Sequence, residues 1–448
     1  MPQTADPDAK ARVIAGERPA LARSLWTDTA GPAPDTPPLR GEARVDVAVV
    51  GAGYTGLSAA LHLAERGVDV AVLEGQSPGW GASGRNGGQV IPGLKEDPDD
   101  LERALGSERG QALVTFSGAA PDVVFDLIAR HGIECGAVRS GWIQPAHTPE
   151  RRAALERRVE QWSRRGAPVE MLDRDAAARL IGSDAWGEAA LDRRGGSVHP
   201  LNFALGLARA AMDQGARVHG HSPVTALERV ADGWRLRTPG GVLTAAHVIL
   251  ATNAYSGPVQ DRLRRSVVPV CSIQVATEPL SDNIRGTIFP EGHVASDMRR
   301  LMFYFRTGPG GRMIMGGRGA YSDAGIARQM ARLRAAAEGL FPQLQGVAWT
   351  HQWGGLVAMT TDHLPHLHDL GHGLTAALGY NGRGVAMATA MGRALADHVA
   401  GRGMGRSSGL PGFPATPLQP VPLHGFRQLA VTGLVAWNGL RDRLERGA

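Results

Sequence analysis

The stretch Val45-Asp46-Val47-Ala48-Val49-Val50-Gly51-Ala52-Gly53-Tyr54-Thr55-Gly56 decides the fold. Its first six residues are mostly small or β-branched and apolar, and they read as a buried strand. Three glycines follow at once. Leu57, Ala60, Leu61 and Ala64 then recur at helical spacing, which predicts a helix over 57–66 that Gly67 stops. A second strand is expected over 68–73, ending at Glu74. Strand, helix and strand make one βαβ unit, with parallel strands and a right-handed crossover. Gly51 permits the tight turn, Gly53 lets backbone approach a pyrophosphate at the positive end of the helix, and Gly56 allows close helix–strand packing. Glu74 suits the hydroxyls of an adenosine ribose and repels a 2′-phosphate, which disfavours NADP.

FAD and NAD share this fingerprint, and two further glycine-rich turns separate them. Ser83-Gly84-Arg85-Asn86-Gly87-Gly88-Gln89 follows the second strand; its successive amides and one arginine form an anion-friendly nest. Near the other end, Gly379-Tyr380-Asn381-Gly382-Arg383-Gly384 opens a helix expected over 385–399. That helix N-terminus suits the negative charge that gathers on N1 and O2 of a reduced flavin. Two such turns far apart, added to the fingerprint, favour a long extended cofactor.

Composition agrees with a globular chain. The 448 residues suffice for two domains, and 43% hydrophobic with 20% charged residues excludes wholesale disorder. Glycine (60) and proline (29) together exceed the usual share without a G-X-Y period, so the surplus belongs to tight turns rather than to collagen. Lysine occurs only at Lys10 and Lys95, so the net charge of +5 rests on arginine. Basic and acidic residues interleave, as in 151–165, so no nucleic-acid surface is expected. Two cysteines, Cys135 and Cys271, exclude a disulfide framework and fit a reducing compartment. With no secretion-type leader and no run of ~18 apolar residues, a cytoplasmic protein without a transmembrane segment is expected.

The remaining chain divides as follows. Residues 1–44 form a Pro- and Ala-rich leader that Trp26 pins to the body. Residues 98–190 read as mostly helical and charged. A helix is expected over 201–214, strands over 217–227, 234–238, 242–246 and 247–252, and an antiparallel sheet over 265–320 with hairpin arms 299–306 and 312–317. Helices are expected over 326–340 and 426–445. In the second of these, Phe426, Ala430, Gly433, Trp437, Leu440 and Leu444 form one stripe, suited to docking on the body or to a peripheral membrane contact. The expected fold class is α/β: a discontinuous Rossmann-type dinucleotide domain (45–97, 191–262, 350–402) interleaved with an antiparallel-sheet α+β substrate domain (98–190, 263–349), and a tail (403–448).

Residues 47–89, the stretch Val248-Ile249-Leu250-Ala251-Thr252-Asn253-Ala254-Tyr255-Ser256, and residues 353–384 resemble flavoproteins of the D-amino-acid oxidase/sarcosine oxidase superfamily. Within it, residues 79–89, His199-Pro200-Leu201 and Leu25-Trp26 are most similar to the γ-glutamylputrescine oxidoreductase type. The resemblance implies an FAD enzyme that oxidises an amine to an imine, with O2 reduced to hydrogen peroxide; the alternatives are a dehydrogenase that uses a quinone or protein acceptor and a flavin-binding protein without turnover. Carried over by position, it implies that Gly51, Gly53, Gly56, Glu74, Ser83, Arg85, Asn86, Gly87, Val224, Thr252, Gly382, Arg383 and Gly384 line FAD; Gly88, Gln89, Gly379 and Asn381 complete those turns.

Three departures matter. No cysteine lies in 354–362, where relatives attach flavin covalently, so non-covalent FAD is expected. Val357 stands where amino-acid-oxidising relatives hold a carboxylate with arginine, which favours an amine over a free α-amino acid. Strand 312–317 lacks the lysine that promotes O2 reduction in sarcosine-oxidising relatives, and both lysines lie elsewhere. For catalysis the candidates are Tyr304, facing the substrate, and His351, accepting the amine proton; Trp353 and Tyr380 are candidate aromatic walls for a substrate cation. His363, His366, His368 and His372 lack an acid cluster beside them, so no metal is expected.

Overall fold

A computed structural model describes residues 23–321, 323–404 and 413–444. The quoted fingerprint lies at the centre of an eight-stranded sheet. Its spine runs, in spatial order, His366–Asp369, Leu374–Leu378, Gly241–Leu250, Gly41–Val50, Val70–Leu73 and Arg217–His219. The last five strands are parallel, and Ala226–Val230 and Gly233–Arg237 add an antiparallel flap on Gly241–Leu250. The first strand starts at Gly41 rather than Val45, because Gly41–Val45 finds ladder partners in Gly241–Ala245. Helices Tyr54–Ala64, Ser107–His131, Pro200–Asp213 and Gly384–Met404 cover one face, and their apolar sides share one large core. By length and composition Ser107–His131 could cross a membrane, yet more than half of that window is buried in this core. It carries Pro121 inside and lies against Gly384–Met404.

The second eight-stranded sheet runs Trp349–Met359, Val268–Thr277, Arg312–Arg318, Tyr304–Gly308, Val294–Ser296, Trp142–Pro145, Ala189–Asp192 and Val169–Leu172. One face covers an apolar cluster in which Phe305, Phe341, Phe289 and Trp186 meet. Residues 98–190 are mostly helical as expected, in Pro98–Leu105, Ser107–His131, Pro149–Ser163 and Arg174–Ile181, and they also hand the strands Trp142–Pro145 and Val169–Leu172 to this sheet, with Ala189–Asp192 beginning within them. Three expectations are corrected here. The boundary expected at 350 cuts through a strand, since Trp349–Met359 pairs along its whole length with Val268–Thr277. The arm expected over 299–306 begins only at Tyr304, because buried Asp297 holds 297–303 as a loop through the amides of Arg299 and Phe303 and the Arg299 guanidinium. The strand expected over 217–227 is also two strands in different parts of the first sheet.

The leader's Leu25–Thr29 is a short helix closed by a Ser24–Thr27 capping box. Trp26 is fully buried and donates from Nε1 to the Asn86 carbonyl at 2.9 Å. The helix expected over 426–445 is found at Arg427–Leu444; residues 1–22 of the leader, with Lys10, and residues 405–412 and 445–448 of the tail lie outside the described residues.

Candidate active site

The three fingerprint glycines each meet a physical requirement. Gly51 has φ +105°, and a Cβ there would lie 3.1 Å from the Ala251 carbonyl oxygen. A Cβ on Gly56 would fall inside the Gly51 carbonyl, and one on Gly53 would press on Ser83 Oγ at 2.9 Å. Gly53 caps helix Tyr54–Ala64 without a side chain, and Ser83 Oγ accepts from the Tyr54 amide at 3.0 Å. The next amides of this helix end point outward, as at any helix start. Glu74 accepts from the amides of Ala52 (2.7 Å, Oε2) and Gln76 (2.9 Å, Oε1). It therefore braces the turn as well as ending the strand. Burial pushes its carboxyl up, against those amide hydrogen bonds. Thr252 touches the same turn from the end of Gly241–Leu250, its methyl 3.6 Å from a Gly51 Cβ. Val224 is half-buried against the apolar cluster that contains Leu73 and Leu250, and its neighbour Pro223 lies along Gly75.

The second turn is tied on every side. Asn86 Nδ2 donates to the carbonyls of Ala82 and Ser83 and to Tyr54 Oη, and its Oδ1 accepts from the Gly88 amide. Gln89 donates across to the carbonyls of Ala295 and Phe305 in the second sheet. The Arg85 carbonyl accepts from Gln274 Nε2 at 2.6 Å and Trp353 Nε1 at 2.9 Å. The Arg85 side chain is different. Its Nε donates to the Trp80 carbonyl, its guanidinium lies 4.8 Å from the Trp80 ring, and it is 3% exposed, yet Nη1 and Nη2 have no partner. Burial lowers its pKa, and no carboxylate pairs with it among the described residues. A buried guanidinium with two idle donors fits an anionic or carbonyl-rich ligand.

The third turn precedes helix Gly384–Met404. Asn381 has φ +48° and ties the turn to Thr360 and the Gly379 carbonyl. Gly379 has φ +78°, and a Cβ there would collide with Thr360. Gly382 (φ +91°) and Gly384 are the opposite case: a Cβ would meet nothing within 4 Å, so open space lies before this helix end. Arg383 stacks on Trp142 at 4.7 Å, with burial and then Arg158 lowering its pKa to about 9.

A family profile described as DAO, FAD dependent oxidoreductase, matches residues 46–398. The chain belongs to this family. It is 35% identical to γ-glutamylputrescine oxidoreductase of Escherichia coli K12 over 404 residues, covering 89% of this chain and 93% of that one. It is 33% identical to the probable oxidoreductase OrdL of Haemophilus influenzae, covering 85% and 88%. Glycine oxidase of Geobacillus kaustophilus superposes with a TM-score of 0.68 at 25% identity, covering 83% of this chain and 98% of that one. Iminodiacetate oxidase of Chelativorans sp. BNC1 shares the fold, with a TM-score of 0.69 at 22% identity over 84% and 100%. This DAO-family chain is an FAD-dependent oxidoreductase, and the open glycine turn and idle Arg85 donors fit that cofactor.

The face of the second sheet turned toward Arg85 carries the remaining candidates. Gln274 pairs across the strand with Gly316, Ser272 with Arg318, and Tyr304 with Gly316 on the other side. Tyr304 lies over Gly316 and against Gly87, and its hydroxyl meets Ser272 Oγ at 2.8 Å. Burial pushes the phenol far up, so it stays protonated. Gln274 Oε1, like the Arg85 donors, has no partner. Arg318 is the residue the sequence reading missed. It ends strand Arg312–Arg318, one position beyond the stretch searched for a cation, and burial lowers its pKa beside Tyr321, Cys271 and Tyr304. Lys95 is exposed in the loop that precedes Pro98–Leu105.

Other candidates are placed away from an open wall. Trp353 is fully buried among Leu25, Trp26, Leu201 and Ile314, and its indole holds the Arg85 carbonyl. Tyr380 is 5% exposed and bonds Thr55 Oγ1 at 2.6 Å within the large core. Both are fasteners rather than substrate walls, because the packing of distant segments closes over them. His351 meets Asp28 of the leader helix at 3.3 Å, and burial and then Arg312 lower its pKa. His366 and His368 stack at 5.5 Å, His366 on Asp362, while His363 meets Glu96. Cys271 lies one strand from Leu356, but its side chain belongs to the apolar cluster, and burial pushes the thiol up to about 12.

Proposed function

We propose that this chain oxidises an amine, N-substituted or polyamine-type, to an imine that water hydrolyses to an aldehyde plus an amine or ammonia, with O2 reduced to H2O2. The observation that carries the reading is the facing pair of surfaces: idle Arg85 donors on the glycine turn, and Tyr304, Gln274 and Arg318 on the sheet opposite. FAD, bound without a covalent link, would supply the hydride acceptor for a C–H bond beside the amine nitrogen. The chain's own work is positioning and water exclusion. Tyr304 and Gln274 offer a hydroxyl and a free amide oxygen at one place, which suits the nitrogen of a neutral amine. Arg85 and Arg318 hold positive charge where negative charge develops. Val357, half-buried in mid-strand opposite Val270, supports amines over free α-amino acids. We assign the first-sheet segments to FAD and the second sheet to the substrate, within a reducing, cytoplasmic compartment.

A second reading keeps the amine and changes the acceptor. Strand Arg312–Arg318 has no lysine, so a quinone or carrier protein takes the electrons instead. Aerobic turnover separates the two: stoichiometric peroxide supports the first, and substrate consumption only with an added quinone supports the second. Acid precipitation tests the cofactor linkage. Yellow colour in the supernatant is expected, and colour kept in the pellet overturns the non-covalent assignment.

A further inference from the structure

Helix Arg427–Leu444 presents an unusual surface. Of the nine large apolar side chains most exposed among the described residues, seven fall within 423–444. Leu429, Trp437, Leu440 and Leu444 are 47–72% exposed and, with Gly433 and Ala436, share one face at helical spacing. The opposite face docks on the body. Val431, Val435 and Asn438 are half-buried there, and buried Asp442 accepts from the amides of Arg300 (3.1 Å) and Leu301 (2.9 Å) and from the Arg300 guanidinium. The outward stripe is thus fixed in orientation. Monomeric proteins rarely leave so continuous an apolar stripe in water.

We propose that this stripe docks on an anionic phospholipid bilayer. Charge decides between a bilayer and a second copy of the chain. Exposed Arg441 borders the stripe near one end of the helix, and Arg427 stands at the other end. The one acid of the helix, Asp442, is already engaged on the docked face. Pairing with a second copy, parallel or antiparallel, brings these arginines together with no exposed acid among the described residues of the helix to answer them. Anionic headgroups answer them at both ends of the helix, while Leu429, Leu440 and Leu444 enter the acyl boundary and Trp437 lies at its edge. The helix is ~27 Å long at 1.5 Å per residue, enough to lie in the interface plane. The docked helix is clamped to loop 297–303, which leads straight into strand Tyr304–Gly308, so bilayer contact fixes the orientation of the catalytic body. The inference does not depend on which substrate or acceptor is used.

The test is co-sedimentation of the full-length, FAD-loaded protein with phosphatidylcholine vesicles, with and without phosphatidylglycerol. Binding to the anionic vesicles, weakened by added salt, is expected. The double variant Leu429→Glu, Leu440→Glu should lose roughly tenfold or more in binding, and Arg441→Glu several-fold. Both change exposed side chains, so melting temperature and flavin absorbance should hold; Arg441→Glu keeps the test valid should the double variant fold poorly. Absence of vesicle binding, or binding indifferent to these variants, overturns the proposal. So does light scattering that shows a wild-type dimer split by Leu429→Glu, Leu440→Glu, since a second copy then covers the stripe.

Discussion

The fingerprint turn and the gap between the second glycine turn and the sheet face are built on different principles. Around the fingerprint turn the polar groups have fixed partners: Glu74 takes two amides, Ser83 a third, and Asn86 of the neighbouring turn satisfies its amide within the fold. Lining the gap, Arg85 Nη1 and Nη2 on the second glycine turn and Gln274 Oε1 on the sheet face are buried and idle. The first region is a scaffold whose cost of change is steric and local. The second is a surface whose polar groups wait for something the fold does not supply, and its changes should show in ligand behaviour rather than in folding.

The largest effect that sharpens this contrast is expected at Gly56. Gly56→Val places side-chain atoms inside the Gly51 carbonyl and should cost about 3 kcal/mol or more, with loss of FAD retention and a collapse of the melting temperature together. A variant that keeps both would break the scaffold reading. Arg85→Met should split the two measures. Removing a buried cation without a carboxylate partner leaves the cofactor-free protein as stable or more so, while FAD affinity falls by roughly ten- to a hundredfold. A parallel loss of stability would put Arg85 on the scaffold side.

Next in size is a pH effect. Burial and then Arg306 lower the His199 pKa to about 4; His62 is likewise lowered to about 4, chiefly by burial. Both groups fold in the neutral form, His199 accepting the Asn202 amide at Nδ1. The unfolded chain binds more protons between about pH 6.5 and 4, so this stability is complete above pH 6.5 and is lost as the pH falls through that window. Melting temperature measured from pH 8 to 4 should drop there, and His199→Gln should flatten part of the drop. The smallest effect is expected for Tyr304→Phe. The ring stays over Gly316, and the hydroxyl's contacts with Ser272 Oγ and the Ile273 carbonyl are lost, worth ~1 kcal/mol each or less. Flavin reduction should slow less than tenfold with melting temperature unchanged, and a full loss would make Tyr304 a reacting group.

The same contrast explains what the sequence disclosed. The fingerprint is legible because its requirements are local: a φ, a close carbonyl and a helix start lie within six residues of one another. The membership of Arg318 and Gln274 in the site is not local. It depends on Ser272 facing Arg318 and Gln274 facing Gly316, and register between strands forty residues apart leaves no mark in either strand alone. Trp353 and Tyr380 were read as walls because aromatic residues near a glycine turn suit a cation, but packing from Trp26 and Thr55 closes over them. The four-residue strands Trp142–Pro145 and Ala189–Asp192 were hidden because both faces are buried, which erases the alternation that marks a strand.

The central claim is that these two regions meet around FAD to oxidise an amine. Anaerobic mixing of the purified protein with a panel of amines and free α-amino acids, followed at the flavin absorbance band, tests it most directly. The account predicts bleaching by N-substituted or polyamine-type amines, faster than by glycine or D-alanine. Bleaching fastest with a free amino acid, or by no amine at all, would contradict it.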